Sequence, residues 1–172
     1  STVDRCMKRN TIKGRKKQIF EYTQKRNIMK NKKAYTLLFL RLTLGWLFFY
    51  AGITKILNPA WSAEGYLKGA KTFAGFYQLL TRPDILSIIN PLNAWGLTLI
   101  GASLILGIWM KKASWLGIAL MALYYIPILN FPYAGEHSMI VDEHIIYIGA
   151  FLVLIACDDM QLWKIKVAGK KK

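Results

Sequence analysis

Four long apolar stretches, separated by short polar breaks, leave this chain little choice but a bilayer as its solvent. They run from Ala34 to Leu57, Leu92 to Trp109, Ala113 to Leu129 and Ile140 to Ala156. A helix needs about 20 mostly apolar residues to cross a membrane, with about 17 as the lower limit. The first stretch meets that comfortably. The third and fourth lie near the limit and are expected to extend into their flanks. The expected fold is all-α, an integral membrane four-helix bundle spanning residues 34–160.

Charge is distributed to match. Of the 24 Lys and Arg, twelve precede Ala34 and five lie from Lys164 onward, giving basic segments at 1–33 and 161–172. A soluble domain would spread its charges over its whole surface. The arm abuts a membrane span, so its expected medium is the bilayer surface, with no nucleic-acid partner. Residues 1–33 are expected to be disordered. Met29 directly precedes Lys30 and is the expected natural start, with residues 1–28 as upstream sequence. The first span is too long for the apolar region of a cleaved signal peptide, about 7–15 residues, and has no small-residue cleavage site.

Lys and Arg also orient the chain. The N-terminal arm, the Lys111-Lys112 turn and the C-terminal tail are basic, and the connection from Asn130 to Met139 has no Lys or Arg. The positive-inside rule places the three basic segments in the cytoplasm, and an even number of spans satisfies all three at once. The expected location is the cytoplasmic membrane, multi-pass, with both termini inside. Cys6 and Cys157 both fall on the reducing side and form no C-x-x-C pair.

The first connection, Asn58 to Asn90, has a pattern of its own. Ala63, Tyr66, Leu67, Ala70, Phe73, Ala74, Tyr77 and Leu80 recur at helical spacing, with Glu64, Lys68, Lys71, Gly75 and Gln78 opposite. That is an amphipathic helix, lying in the outer interface or packed on the bundle. Pro59 and Pro83-Asp84 punctuate its ends.

Ionisable residues within spans are costly and therefore point to function. They form two layers. The inner layer is Arg41 with Asp158 and Asp159. Arg41 lies about 24 Å below Leu57 and Asp158 about 27 Å below Ile140 at 1.5 Å per residue. On antiparallel helices these depths match, and a structural ion pair is expected there. The outer layer is Lys55 with His137, Asp142, Glu143 and His144. Two readings stand: ordinary helix-dipole and snorkelling positions, or a functional site. Consecutive residues point about 100° apart, so the three at 142–144 cannot all face inward. Asp142 and His144 are expected to face the bundle with Tyr147 below. His137 and His144 are about two turns apart, which does not suit one iron within a single helix. A loop position for His137 leaves a mixed carboxylate and imidazole site open.

The run Arg41-Leu-Thr-Leu-Gly45-Trp-Leu-Phe48-Phe-Tyr-Ala51-Gly52-Ile-Thr-Lys55 resembles the opening helix of the DoxX/DoxD superfamily, small four-helix membrane proteins. Three further runs resemble the DoxD branch: Asn58 to Leu67, Asn90 to Gly101, and Val141-Asp142-Glu143-His144-Ile-Ile-Tyr147. That branch is named for the membrane subunit of thiosulfate:quinone oxidoreductase. The resemblance implies a quinone-linked membrane redox role, with quinone as co-substrate, a possible second subunit, and motif positions Arg41, Gly45, Gly52, Lys55, Trp61, Glu64, Asp142 and His144. No haem, iron–sulfur cluster, flavin or metal is evident from the residues. On this reading His144 and Asp142 carry catalysis, and Lys55, Tyr147, Glu64 and Trp61 bind substrate or quinone. The alternative is a non-catalytic membrane anchor or assembly subunit of a redox or stress-response complex.

Orientation is directly testable. A single cysteine at Ser138, in a cysteine-free background, should react with an impermeant thiol reagent added to intact cells, and one at Lys112 should not. The reverse pattern would invert the topology.

Overall fold

The computed structural model describes residues 2–134 and 138–165, with side chains from residue 21 onward. The described residues form helices α1 (Thr2–Leu57), α2 (Glu64–Lys68), α3 (Ala74–Leu79), α4 (Pro83–Leu106), α5 (Met110–Ile128) and α6 (Glu143–Ala156), followed by a 3₁₀ turn at Asp158–Met160.

α1 carries the first apolar stretch and the basic arm in one helix. The arm, expected to be disordered, is helical instead. Lys, Arg, Gln and Met are good helix formers. Extending a helix already nucleated in the apolar segment also avoids the nucleation cost. Burial starts at Ala34 and recurs at Leu37, Arg41, Leu44, Phe48 and Gly52, one stripe at three- and four-residue spacing. The opposite face is no less apolar: Tyr35, Phe39, Trp46 and Tyr50 are exposed.

α4 begins earlier than its apolar stretch. Pro83 and Asp84, expected to close the amphipathic segment, open α4. Pro at the first helical position has its φ already set and loses no hydrogen bond. Asp84 meets the positive end of the dipole. α4 ends at Gly107, in the left-handed region at φ 71°. α6 is shorter than its stretch, with 14 residues or about 21 Å. Ile140 has φ 62°, so the chain turns there and the helix starts only after Asp142. α1 and α4 are long and apolar enough to cross a membrane, and α6 is a shorter apolar helix.

α1 packs chiefly on α4, and α5 on α6. Their common core holds Leu44 and Phe48 from α1, Leu97, Ile100 and Leu104 from α4, Met121 from α5, and Phe151 and Leu154 from α6. Glycines set the closeness of the α1–α4 crossing. A Cβ at Gly101 would strike the backbone of Phe49, and one at Gly52 would strike Thr98. Gly117 on α5 likewise admits the Phe151 ring of α6.

The expected single amphipathic helix is two short ones, broken over residues 69–73. Phe73 lies in the left-handed region at φ 53°. Ala63, Leu67, Ala70 and Tyr77 still face inward and form a second small core. The break arises because this segment serves α5. Pro127 has no N–H to donate to the Leu123 carbonyl one turn back. The Tyr77 hydroxyl takes that carbonyl at 3.3 Å, and the Lys71 N–H donates to the Pro127 carbonyl at 2.8 Å. Tyr66 and Thr72 hydroxyls donate to the carbonyls of Tyr124 and Leu129. Burial pushes the Tyr77 phenol above its ordinary pKa, so it remains a donor.

Gly101→Leu should destabilise the protein by about 3 kcal/mol, the upper end of ordinary overpacking. Gly149→Ala, where nothing lies within 4 Å of the new methyl, should be neutral or stabilising by up to about 1 kcal/mol. Unfolding by denaturing detergent in mixed micelles, followed by circular dichroism, measures both. Equal effects would remove the helix crossing from the explanation.

Candidate functional site

α1, α4, α5 and α6 enclose a cavity of about 490 Å³ beneath α2 and α3. Its walls include Lys55, Trp61, Asn93, Tyr124, Glu143 and His144. The α1–α4 crossing explains the first contact. Lys55 follows Gly52 by one turn, and Asn93 adjoins Ala94, against whose carbonyl Gly52 packs. The Lys55 ammonium donates to Asn93 Oδ1 at 3.1 Å. It also lies 4.7 Å from the Trp61 ring centre and 5.7 Å from that of Tyr124. Cation–π contact of this kind stabilises an ammonium without neutralising it. Lys55 forms no ion pair among the described residues, so its charge is available to an anion.

Asp142 caps α6. One carboxylate oxygen accepts from the N–H groups of His144 at 3.1 Å and Ile145 at 3.2 Å. The other lies 2.5 Å from His144 Nδ1. An extended residue with a short acceptor is what a helix N-terminus needs, and the same group fixes the imidazole. With Nδ1 committed to the carboxylate, Nε2 is the ring nitrogen left for a ligand. Tyr124 meets the His144 ring edge-on, with centres 5.9 Å apart.

Several expectations change here. Asp142, expected to face the bundle, is buried there against His144 as cap and tether, and Glu143 rather than Asp142 lines the cavity. Glu64, expected to bind substrate, lies on the outer face of α2 and pairs with Lys68 at 2.6 Å, both side chains well exposed. Tyr147 lines an adjoining cavity of about 200 Å³ that shares Lys55, Tyr124 and His144 with the first. His137 lies outside the described residues.

The inner layer is also rearranged. Arg41 does not pair with Asp158 or Asp159. Its guanidinium, 1% exposed, donates to the Leu162 carbonyl at 2.8 Å and lies 3.4 Å from Met110 Sδ. It sits against Gly107 at the C-terminal end of α4, where the dipole is negative. The Leu162 carbonyl thus takes the place of the expected carboxylate. Asp158 instead pairs with Lys111 at 3.4 Å and with Lys164. Burial alone would raise the Asp158 carboxyl, but the two ammonium groups outweigh it and hold it below its ordinary pKa. That pairing contributes to stability at neutral pH and is lost only in acid, as pH falls through the lowered value.

Tyr124 and Asn93 were not singled out from the sequence, where charged groups drew the candidates, and Tyr66 was placed only on the apolar face of its segment. The available signal was a polar side chain within or beside an apolar stretch: Asn93 at the start of the second, Tyr124 inside the third.

Apolar helices exposing aromatic side chains outward, with a largely apolar cavity carrying a few polar groups at one end, define an all-helical membrane protein. The sequence model of the DoxX family matches residues 36–128. The match covers more than half of the chain, which belongs to the DoxX family. No curated protein and no solved structure matches it.

Asp142→Ala removes both cap and tether and should cost about 1 kcal/mol of stability. Asp142→Asn keeps an N-cap acceptor and should cost less. Detergent unfolding of the two variants checks the order, and equal losses would mean that the cap is not what Asp142 contributes.

Proposed function

We propose that this chain is the membrane subunit of a quinone-linked oxidoreductase of the DoxD type, taking electrons from thiosulfate or a related sulfur anion on the outer face. The observation that carries this reading is the wall of Lys55, Tyr124 and His144, which two adjoining cavities share. A quinone needs hydrogen-bond donors at its carbonyl oxygens and a source of protons as it is reduced, and these side chains are of that kind. His144, tethered at Nδ1, presents Nε2 for proton transfer, with Asp142 stabilising the charged ring. Lys55 attracts an anion, assisted by Lys68, Lys71 and Arg82 in the adjoining connection.

In this arrangement α1, α4, α5 and α6 are the four spans of a bundle, α5 and α6 being completed by their flanks. Both termini are cytoplasmic by the distribution of Lys and Arg. The α2–α3 segment lies at the outer interface, where Phe73, Phe76 and Leu79, all exposed, reach the acyl boundary. A soluble second subunit would deliver electrons at this surface. The same three apolar side chains favour a second reading, an anchor or assembly subunit whose outer segment docks a partner.

His144→Ala should lower quinone-dependent electron transfer by about 100-fold or more, the usual weight of a general acid–base group, while folding is retained. Lys55→Ala should chiefly raise KM for the anion. The assay is reduction of a soluble quinone analogue by thiosulfate, then by sulfite, in membranes containing any partner subunit. Wild-type turnover in both variants would overturn the site. No turnover with either donor, together with loss of a partner's membrane attachment on deleting the chain, would establish the anchor.

A further inference from the structure

The polar wall shared by the two cavities has a fixed sense of hydrogen bonding. Lys55 has only donors, so the Asn93 atom that meets it at 3.1 Å must be the carbonyl oxygen. Asn93 Nδ2 then faces Tyr124 and donates to its hydroxyl oxygen. With that oxygen accepting, the Tyr124 proton is left to donate elsewhere. Within the described residues no acceptor takes it. The side chain borders both cavities, half-buried between Lys55 and His144.

The smaller cavity differs from the larger in what surrounds the shared wall. Its other sides are Leu47, Phe48 and Ala51 of α1, Leu97 of α4, Met121 of α5 and Tyr147 of α6. α1 and α6 touch only sparingly, held apart by the edge-on stacking of Phe48 on Tyr147 and Phe151. The cleft between them is open, and Leu47 at its rim is 43% exposed on the apolar outer face. A groove that is apolar along its length and donor-rich at its end suits one kind of molecule.

We infer that the α1–α6 cleft binds a lipid-soluble molecule that arrives sideways from the bilayer, its apolar body against Leu47 and Ala51 and its hydrogen-bond-accepting head on Tyr124. The larger cavity, under α2 and α3, then remains for a water-borne anion at Lys55. The two ligands meet across the Lys55–Tyr124–His144 wall and use different openings. This deepens the redox reading, on which it rests for the choice of probe.

The full chain in liposomes is illuminated with an azido-substituted quinone analogue, and labelled peptides are mapped by mass spectrometry. Labelling should be saturable, should be competed by the unmodified analogue, and should fall on residues 47–51 and Tyr147. Tyr124→Phe, which removes one hydrogen-bond donor, should weaken half-saturation by about three- to tenfold. Ala51→Phe, which fills the cleft, should abolish site labelling, and Leu47→Trp at the rim provides the same test should Ala51→Phe fold poorly. Labelling confined to the α2–α3 segment, or scattered without saturation over the outer aromatic face, would overturn the cleft. So would site labelling that both cleft-filling variants leave intact. Labelling requires no turnover, so the two readings fail separately. Saturable labelling in the cleft without activity would retain the site and remove the redox role, and normal quinone turnover in the Ala51→Phe variant would do the opposite.

Discussion

The structure depends on how closely α1 approaches α4. At Gly52 and Gly101 the two helices meet nearly backbone to backbone, closer than any Cβ permits. In a membrane, where lipid tails are as apolar as leucine, such contact supplies the dispersion energy that burial supplies in water. The crossing also sets the chemistry. With Gly52 against Ala94 and Thr98, the next turn of α1 brings Lys55 to Asn93. A wider crossing would leave the ammonium without its amide partner and Asn93 without the contact that orients it.

A second constraint acts at helix ends. Backbone carbonyls in a medium without water must find donors in the protein. At the C-terminal end of α5, Pro127 frees the Leu123 carbonyl, and the α2–α3 segment answers with Tyr77, Tyr66, Thr72 and the Lys71 N–H. That need closes a roof over the larger cavity and breaks the segment into two helices. At the other end Arg41 plays the corresponding part, donating to the Leu162 carbonyl beside the terminus of α4. The segment after the 3₁₀ turn is secured by Leu162 on Arg41, Ile165 on Gly107 and Lys164 on Asp158. Both ends are held by the same physical requirement, met with opposite partners.

The polar wall shared by the two cavities follows from these two closures. Asp142 terminates α6 and at the same time tethers His144, so an ordinary capping residue becomes part of a dyad. Tyr124 stands where the walls of both cavities coincide. Its hydroxyl is oriented through Asn93 by a lysine on a different helix, so the donor direction depends on α1, α4 and α5 together.

The sequence by itself determined the elements and their rough depth. Apolar runs of membrane length, Lys and Arg at the two ends, and a polar layer near Lys55 and His144 are local properties, legible because period and composition need no partner. Arg41, Asp158 and Lys55 could be placed by counting residues along a helix. The tertiary structure decided what each of them touches. Depth along an axis says nothing about azimuth or about which backbone groups lack partners, so Arg41 found the Leu162 carbonyl rather than Asp158. The same limit placed Asp142 beneath His144 and Glu64 on the outer face. Tyr124 and Asn93 carry no charge and their only signal was a polar side chain in an apolar setting, yet Tyr124 joins the cavities and Asn93 orients it, because a neutral hydroxyl or amide gains a direction only from the groups packed against it.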